Sequence, residues 1–143
     1  MPKSVLFADD SAATRRAIRN LLTATLGDAL TYIEADGGHE ALNKAITWQP
    51  DVVLLDIAMP GLNGVETARY IHQWSPKSAI LAISSYDVEE VIPRVAGTGI
   101  RGFVRKDSMG SKLCPAIQAL LDGKTYFAER SAAISAMQQP ETA

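Results

Sequence analysis

Short runs that are apolar throughout recur along the chain, and the segments between them carry apolar residues at helical spacing. The runs are V-L-F-A (residues 5–8), the segment 30–35, V-V-L-L (52–55), I-L-A-I (80–83) and G-F-V-R (102–105). A run with no polar alternation fits a strand buried on both faces, and strands alternating with helices predict an α/β fold built on a parallel sheet.

The first helix has the fullest set of signals. Ser11 can cap it, Ala17, Ile18, Leu21 and Leu22 share one face, and Gly27 can end it. Asp36 is the expected cap of a second helix through Ala41, Leu42, Ala45 and Ile46, closed by Pro50. Pro60-Gly61 makes a turn, and Asn63 with Glu66 three residues on resembles a capping box before a third helix through Val65, Ala68 and Ile71, ended by Ser75-Pro76. A fourth helix over 88–96 contains Pro93 and is expected to be short, kinked or mobile. The fifth carries Leu113, Ile117, Leu120 and Leu121 on one face, with Pro115 placed near its first turn and Gly123 at its end. Residues 124–143 read as a tail or linker in which Tyr126 and Phe127 dock and 138–143 are disordered.

Composition narrows the classes. A chain of 143 residues with 47% hydrophobic and 21% charged residues suits one globular domain, expected over 1–123. A net charge of -2 provides no basic field, so direct binding to nucleic acid by this chain is not expected. Cys114 has no partner for an internal disulfide, and no apolar stretch reaches the roughly 20 residues that span a bilayer, so no membrane is expected. The N-terminus leads straight into a strand without a signal-peptide core, which predicts a cytoplasmic protein.

In parallel α/β sheets ligands bind beyond the carboxyl ends of the strands. Four of the five runs stop there at groups suited to phosphate chemistry: Asp9 and Asp10, Asp56, Ser84, and Lys106. Clustered carboxylates repel by about 4 kcal/mol per pair at about 4 Å and an effective dielectric near 20, a cost that a divalent cation removes. Oxygen ligands without His or Cys favour Mg²⁺. Ser84 and Lys106 can donate to phosphate oxygens. Asp56 stands alone at the end of a central run and can act as a nucleophile toward phosphorus, while the adjacent Asp9 and Asp10 suit the metal.

The stretches V-L-F-A-D-D-S, V-V-L-L-D-I-A-M-P-G-L-N-G, I-L-A-I-S-S and G-F-V-R-K-D, in this order and at these intervals, resemble the receiver domain of bacterial two-component response regulators over residues 3–123. The wording G-I-R-G-F-V-R-K-D-S and L-L-D-G-K-T-Y-F is most similar to LuxR/NarL-type regulators. The resemblance implies a flavodoxin-like sheet of five strands, order 2-1-3-4-5, with five helices. It implies Asp56 as phosphoacceptor, and Mg²⁺ held by Asp9, Asp10, Asp56 and the Ala58 backbone carbonyl. Ser84 and Lys106 would bind the phosphoryl group, and Phe103 would be the aromatic switch residue, swinging inward as Ser84 moves. The partner it implies is a histidine kinase or phosphotransfer protein, with a phosphorylation-dependent homodimer as a further expectation. Lys106 precedes Asp107 where the wider family commonly has proline, so no cis peptide is expected there.

Each residue taken alone has an ordinary alternative: Asp9 or Asp56 as a helix cap, Ser84 as a turn residue, Lys106 as a solvated strand end, Phe103 as edge-strand packing. Their joint order favours a phosphoacceptor signalling domain with slow self-dephosphorylation over an enzyme. An aspartate-nucleophile phosphatase would need an acid/base Asp two residues past Asp56, where Ala58 stands, and a substrate cap for which the loops are too short. Output is expected through transcription by a DNA-binding domain outside these residues, the chain being the excised front of a longer regulator. The alternative is a single-domain regulator acting through protein contacts.

Overall fold

The computed structural model describes residues 2–57, 64–86 and 97–127. In chain order the elements are β1 (Lys3–Ala8), α1 (Ala12–Leu26), a 3-10 turn (Gly27–Ala29), β2 (Leu30–Ala35), α2 (Gly38–Trp48), β3 (Val52–Asp56), α3 (Gly64–Trp74), β4 (Ala79–Ser84), β5 (Ile100–Arg105), a second 3-10 turn (Lys106–Ser108), α4 (Met109–Leu121) and β6 (Tyr126–Phe127). The strands form one sheet in the order β2-β1-β3-β4-β5-β6. All five pairings are parallel.

Strand alternation sorts the apolar runs into two cores. Leu6, Ala8, Val53, Leu55, Ile80, Ala82 and Phe103 meet Ala41 and Ala45 of α2 and Val65, Ala68 and Ile71 of α3. Val5, Phe7, Val52, Leu54, Leu81, Ile83 and Val104 meet Ile18 and Leu22 of α1 and Leu113, Ala116, Ile117 and Leu120 of α4. Each fully buried Leu or Ile of this kind contributes about 1.5–3 kcal/mol, so the central strands are the rigid base from which the site projects.

The α/β class and the 2-1-3-4-5 order of the first five strands are as the sequence implies, and a short sixth strand is added. Tyr126 pairs with Gly102, where a Cβ would lie 2.9 Å from the Tyr126 carbonyl oxygen and 2.8 Å from Leu81 Cδ1. The bare glycine leaves room for this close approach, so β5 lies between two strands and is not an edge. Four α-helices lie among the described residues, α4 being the fifth of the sequence pattern. The expected fourth helix around Pro93, the Pro60-Gly61 turn, the Asn63 cap and the 138–143 tail fall outside them.

Other local expectations are corrected. The cap position of α2 is Gly37, and the Asp36 N–H donates to Glu40 Oε1 at 3.0 Å. Pro115 sits inside α4 because the helix begins at Met109, earlier than expected. It faces solvent, as does Ser111, whose carbonyl lost its intrahelical donor and can bond water. Trp48 and Trp74, the last residues of α2 and α3, are 63% and 57% exposed.

Candidate functional site

Residue parity brings the charged groups together. Asp9 continues the side of Val5 and Phe7, Asp56 that of Val52 and Leu54, and Lys106 that of Val104, all toward the α1 and α4 layer. Because β1 and β5 flank the β3–β4 pair and all strands run parallel, these residues end at one edge of the sheet. Lys106 Nζ donates to Asp56 Oδ2 at 2.7 Å and lies 3.1 Å from Asp9 Oδ2. Carboxylate oxygens of Asp9, Asp10 and Asp56 lie within 4.8 Å of one another.

Asp9 is fully buried and Asp10 is exposed. The Asp9 N–H donates to the Ala35 carbonyl at 3.2 Å and its Oδ1 accepts the Ser11 N–H at 2.8 Å. Ser11 caps α1 as expected, its hydroxyl accepting the Thr14 N–H at 3.2 Å. The remaining oxygen, Oδ2, is buried and accepts no hydrogen bond. The nearby Lys106 ammonium gives it charge without the alignment of a bond, its directed bond going to Asp56. A cation among the three carboxylates would give this buried oxygen a directed partner. The donor set therefore fits a hard, oxygen-seeking divalent ion.

Burial pushes the Asp9 carboxyl above its ordinary value; the Ser11 N–H and Lys106 pull it down, and the Asp56 charge pushes it up again. Burial lowers Lys106, but its close contacts with Asp56 and Asp9 and their charges outweigh that and hold it above the usual lysine value.

Ser84 continues the other parity, that of Ile80 and Ala82, at the buried end of β4. Its hydroxyl oxygen accepts the Tyr86 N–H at 3.0 Å, which leaves the hydroxyl proton to be donated. Phe103 shares that side of the sheet and is only 5% exposed, its ring already inside the α2–α3 core. The Lys106–Asp107 peptide is trans. Ala58, whose carbonyl was expected as a metal ligand, lies outside the described residues.

A sequence profile of the response regulator receiver domain matches residues 5–118. The chain belongs to the response regulator receiver family. This receiver is 32% identical over 129 residues to the transcriptional regulatory protein YxjL of Bacillus subtilis, a match covering 90% of this chain and 59% of that protein. It is 31% identical to the oxygen regulatory protein NreC of Staphylococcus haemolyticus, covering 85% of this chain and 56% of the relative. The receiver thus spans between half and two thirds of the curated relatives it matches. A LuxR-family two-component response regulator from Aurantimonas sp. SI85-9A1 superposes with a TM-score of 0.80 at 25% identity, covering 95% of this chain and 94% of that one. The signal receiver domain of the putative response regulator NarL from Mycobacterium tuberculosis gives a TM-score of 0.78 at 27% identity, covering 86% and 98%. Among the described residues no helix is long and apolar enough to cross a membrane.

Two contributors to the site were absent from the sequence reading. Gly64 opens α3 against the peptide after Asp56, where a Cβ would meet Ile57 Cα at 2.1 Å and the Asp56 carbonyl oxygen at 2.6 Å. Arg15 donates from Nη1 to the Asp9 carbonyl oxygen at 2.7 Å. The first had a signal in the G-L-N-G stretch; the second, in an arginine one turn past the capping serine, had only a weak one.

Proposed function

We propose that this receiver accepts a phosphoryl group on Asp56 from the phosphohistidine of a cytoplasmic kinase or phosphotransfer protein, with Mg²⁺ held by Asp9, Asp10 and Asp56. The observation that carries the reading is one carboxylate oxygen from each of Asp9, Asp10 and Asp56 within 4.8 Å of the others, with Asp9 Oδ2 buried and lacking a hydrogen bond, while Lys106 contacts the Asp56 carboxylate at 2.7 Å. Magnesium, when bound, supplies positive charge against the carboxylates and the transferring phosphoryl oxygens.

The chain's own groups divide the remaining work. A carboxylate oxygen of Asp56 attacks phosphorus; the O–P bond forms as the P–N bond to the donor's imidazole breaks, and that nitrogen keeps the electron pair. Lys106, already beside Asp56, turns one N–H to a phosphoryl oxygen, and Ser84 offers its hydroxyl proton to another. Phe103 lies inside the α2–α3 core, and we assign it to repacking of that core. By likeness to transcriptional regulators, we place the output in transcription. Incubation with acetyl phosphate and Mg²⁺ should add one phosphoryl group by intact mass, and a chelator should abolish the gain. An unchanged mass with the metal present would contradict the reading.

Stability supplies a second prediction. An acid whose folded pKa is raised gives stability that is present below about 3.8 and is lost as pH rises through the folded value, so ionised Asp9 destabilises the metal-free protein at neutral pH. Mg²⁺ should therefore raise the thermal midpoint of the wild type at pH 7. Asp9→Asn should lose that rise and yet melt no lower than metal-free wild type. A wild-type midpoint indifferent to Mg²⁺ would count against the metal site.

A third prediction concerns reset. Tyr86 is exposed two residues past Ser84 and has neither amide nor carboxylate to orient water. Tyr86→Glu should speed loss of the phosphoryl group several-fold in a mass-based decay assay. An unchanged half-life would refute this role for the position.

A further inference from the structure

Arg15 closes α1's first turn and joins two elements at once. Its Nη1 bonds the Asp9 carbonyl oxygen at 2.7 Å, and its Nε lies 3.5 Å from Glu34 Oε1 on β2. Glu34 is itself anchored: Oε2 pairs with Arg19 at 2.8 Å, and its backbone carbonyl accepts Lys44 Nζ from α2 at 2.6 Å. Arg19 stacks over the Phe7 and Tyr32 rings and makes no hydrogen bond to the β1–α1 loop among those described.

With the Arg15 bond in place, the Asp9 N–H, carbonyl and Oδ1 are all engaged, by Ala35, Arg15 and Ser11. Only Oδ2 remains, and it is the oxygen facing Lys106, beside the cluster that Asp9 forms with Asp10 and Asp56. Turning the Asp9 side chain would break the Ser11 bond, and tilting the Asp9–Asp10 peptide would break the Arg15 bond.

We infer that Arg15, braced by Glu34, is a positioning residue that fixes the Asp9–Asp10 peptide and so sets the receiver's affinity for a divalent cation. The inference rests on the proposed reading of the carboxylate cluster as a cation site. A guanidinium suits the task because its planar fork donates to the loop carbonyl from one nitrogen while another faces the Glu34 carboxylate as an ion pair. An ammonium in its place keeps the charge but makes a single, less directed contact. Groups that orient metal ligands from behind usually change affinity by about 10- to 100-fold when removed.

The test titrates Mg²⁺ into the whole chain, read by calorimetry and by the amide resonances of Asp10 and Ser11, with metal-free thermal melts alongside. Arg15→Met, which keeps the aliphatic stem, should weaken Mg²⁺ binding about tenfold and disperse less of the Asp10 and Ser11 shifts. Arg19→Met, which removes the other arginine from Glu34, is the structural control and should stay within about twofold of wild type. Arg15→Lys should recover only part of the loss. If Arg15→Met fails to fold, Glu34→Gln, which releases the fork without losing volume, should show several-fold weaker binding. Equal Mg²⁺ affinity in wild type and Arg15→Met, equal losses in the two arginine variants, or full recovery by lysine would each overturn the inference while leaving the metal site standing. No Mg²⁺ binding by the wild type would overturn the underlying reading of the cluster, and this inference with it.

Discussion

Gly64→Ala is expected to lower the thermal midpoint by about 10 °C and to slow phosphoryl acceptance with it. The added methyl would sit 2.1 Å from Ile57 Cα, 2.6 Å from the Asp56 carbonyl oxygen and 2.7 Å from the Ile57 carbonyl carbon. All three are backbone atoms, so no side-chain rotation relieves the clash, and either α3 or the end of β3 has to move. Overpacking costs about 1–3 kcal/mol, and a backbone clash belongs at the upper end. For a domain of this size about 3 kcal/mol corresponds to roughly 10 °C. Because the displaced atoms belong to the peptide of Asp56, acceptance should fall as well; a shift near 1 Å in a reacting group costs on the order of 100-fold. Calorimetry gives the midpoint, and acetyl phosphate labelling at a temperature where the variant stays folded gives the rate. Gly110→Ala is the control: nothing lies within 4 Å of its Cβ position inside α4, and it should be neutral or slightly stabilising. Equal midpoints for the two variants would contradict the close approach at Gly64.

The strands and the charged and polar groups at their ends were legible because both depend on local pattern. Apolar runs without alternation marked strands buried on both sides, and Asp9, Asp56, Ser84 and Lys106 stand where those runs stop. Parity then decides which of them meet: Asp9, Asp56 and Lys106 share one side, Ser84 and Phe103 the other. The missed features depend on distant neighbours. Trp48 and Trp74 end α2 and α3, where the Gln49 side chain bonds the Trp74 carbonyl at 3.2 Å and ties the two helix ends together without burying either ring. Asp36 has a good cap's chemistry, but Glu40 takes its N–H and Gly37 takes the cap position. β6 is too short for a periodic signal and forms because Gly102 leaves room beside β5. Glu34 was passed over because its run ends in no reactive group; a lone charge inside an apolar strand was the available sign.

Asp56→Asn is expected to abolish phosphoryl acceptance outright while leaving the fold intact. Asp56 is 3% exposed at the end of β3, in contact with Lys106 at 2.7 Å and grouped with Asp9 and Asp10. Asparagine keeps the volume but has no anionic oxygen to attack phosphorus, and it removes one charge from the carboxylate cluster. Neither effect can be made good by Asp9, whose Oδ1 is engaged by Ser11 and whose backbone is tied at Ala35 and Arg15. The decisive measurement is the location of the label. After acetyl phosphate and Mg²⁺, borohydride reduces an aspartyl phosphate to homoserine, and tandem mass spectrometry reads the position. The account predicts homoserine at residue 56 in the wild type and no mass gain in Asp56→Asn; label at another residue, or its persistence in that variant, would contradict it.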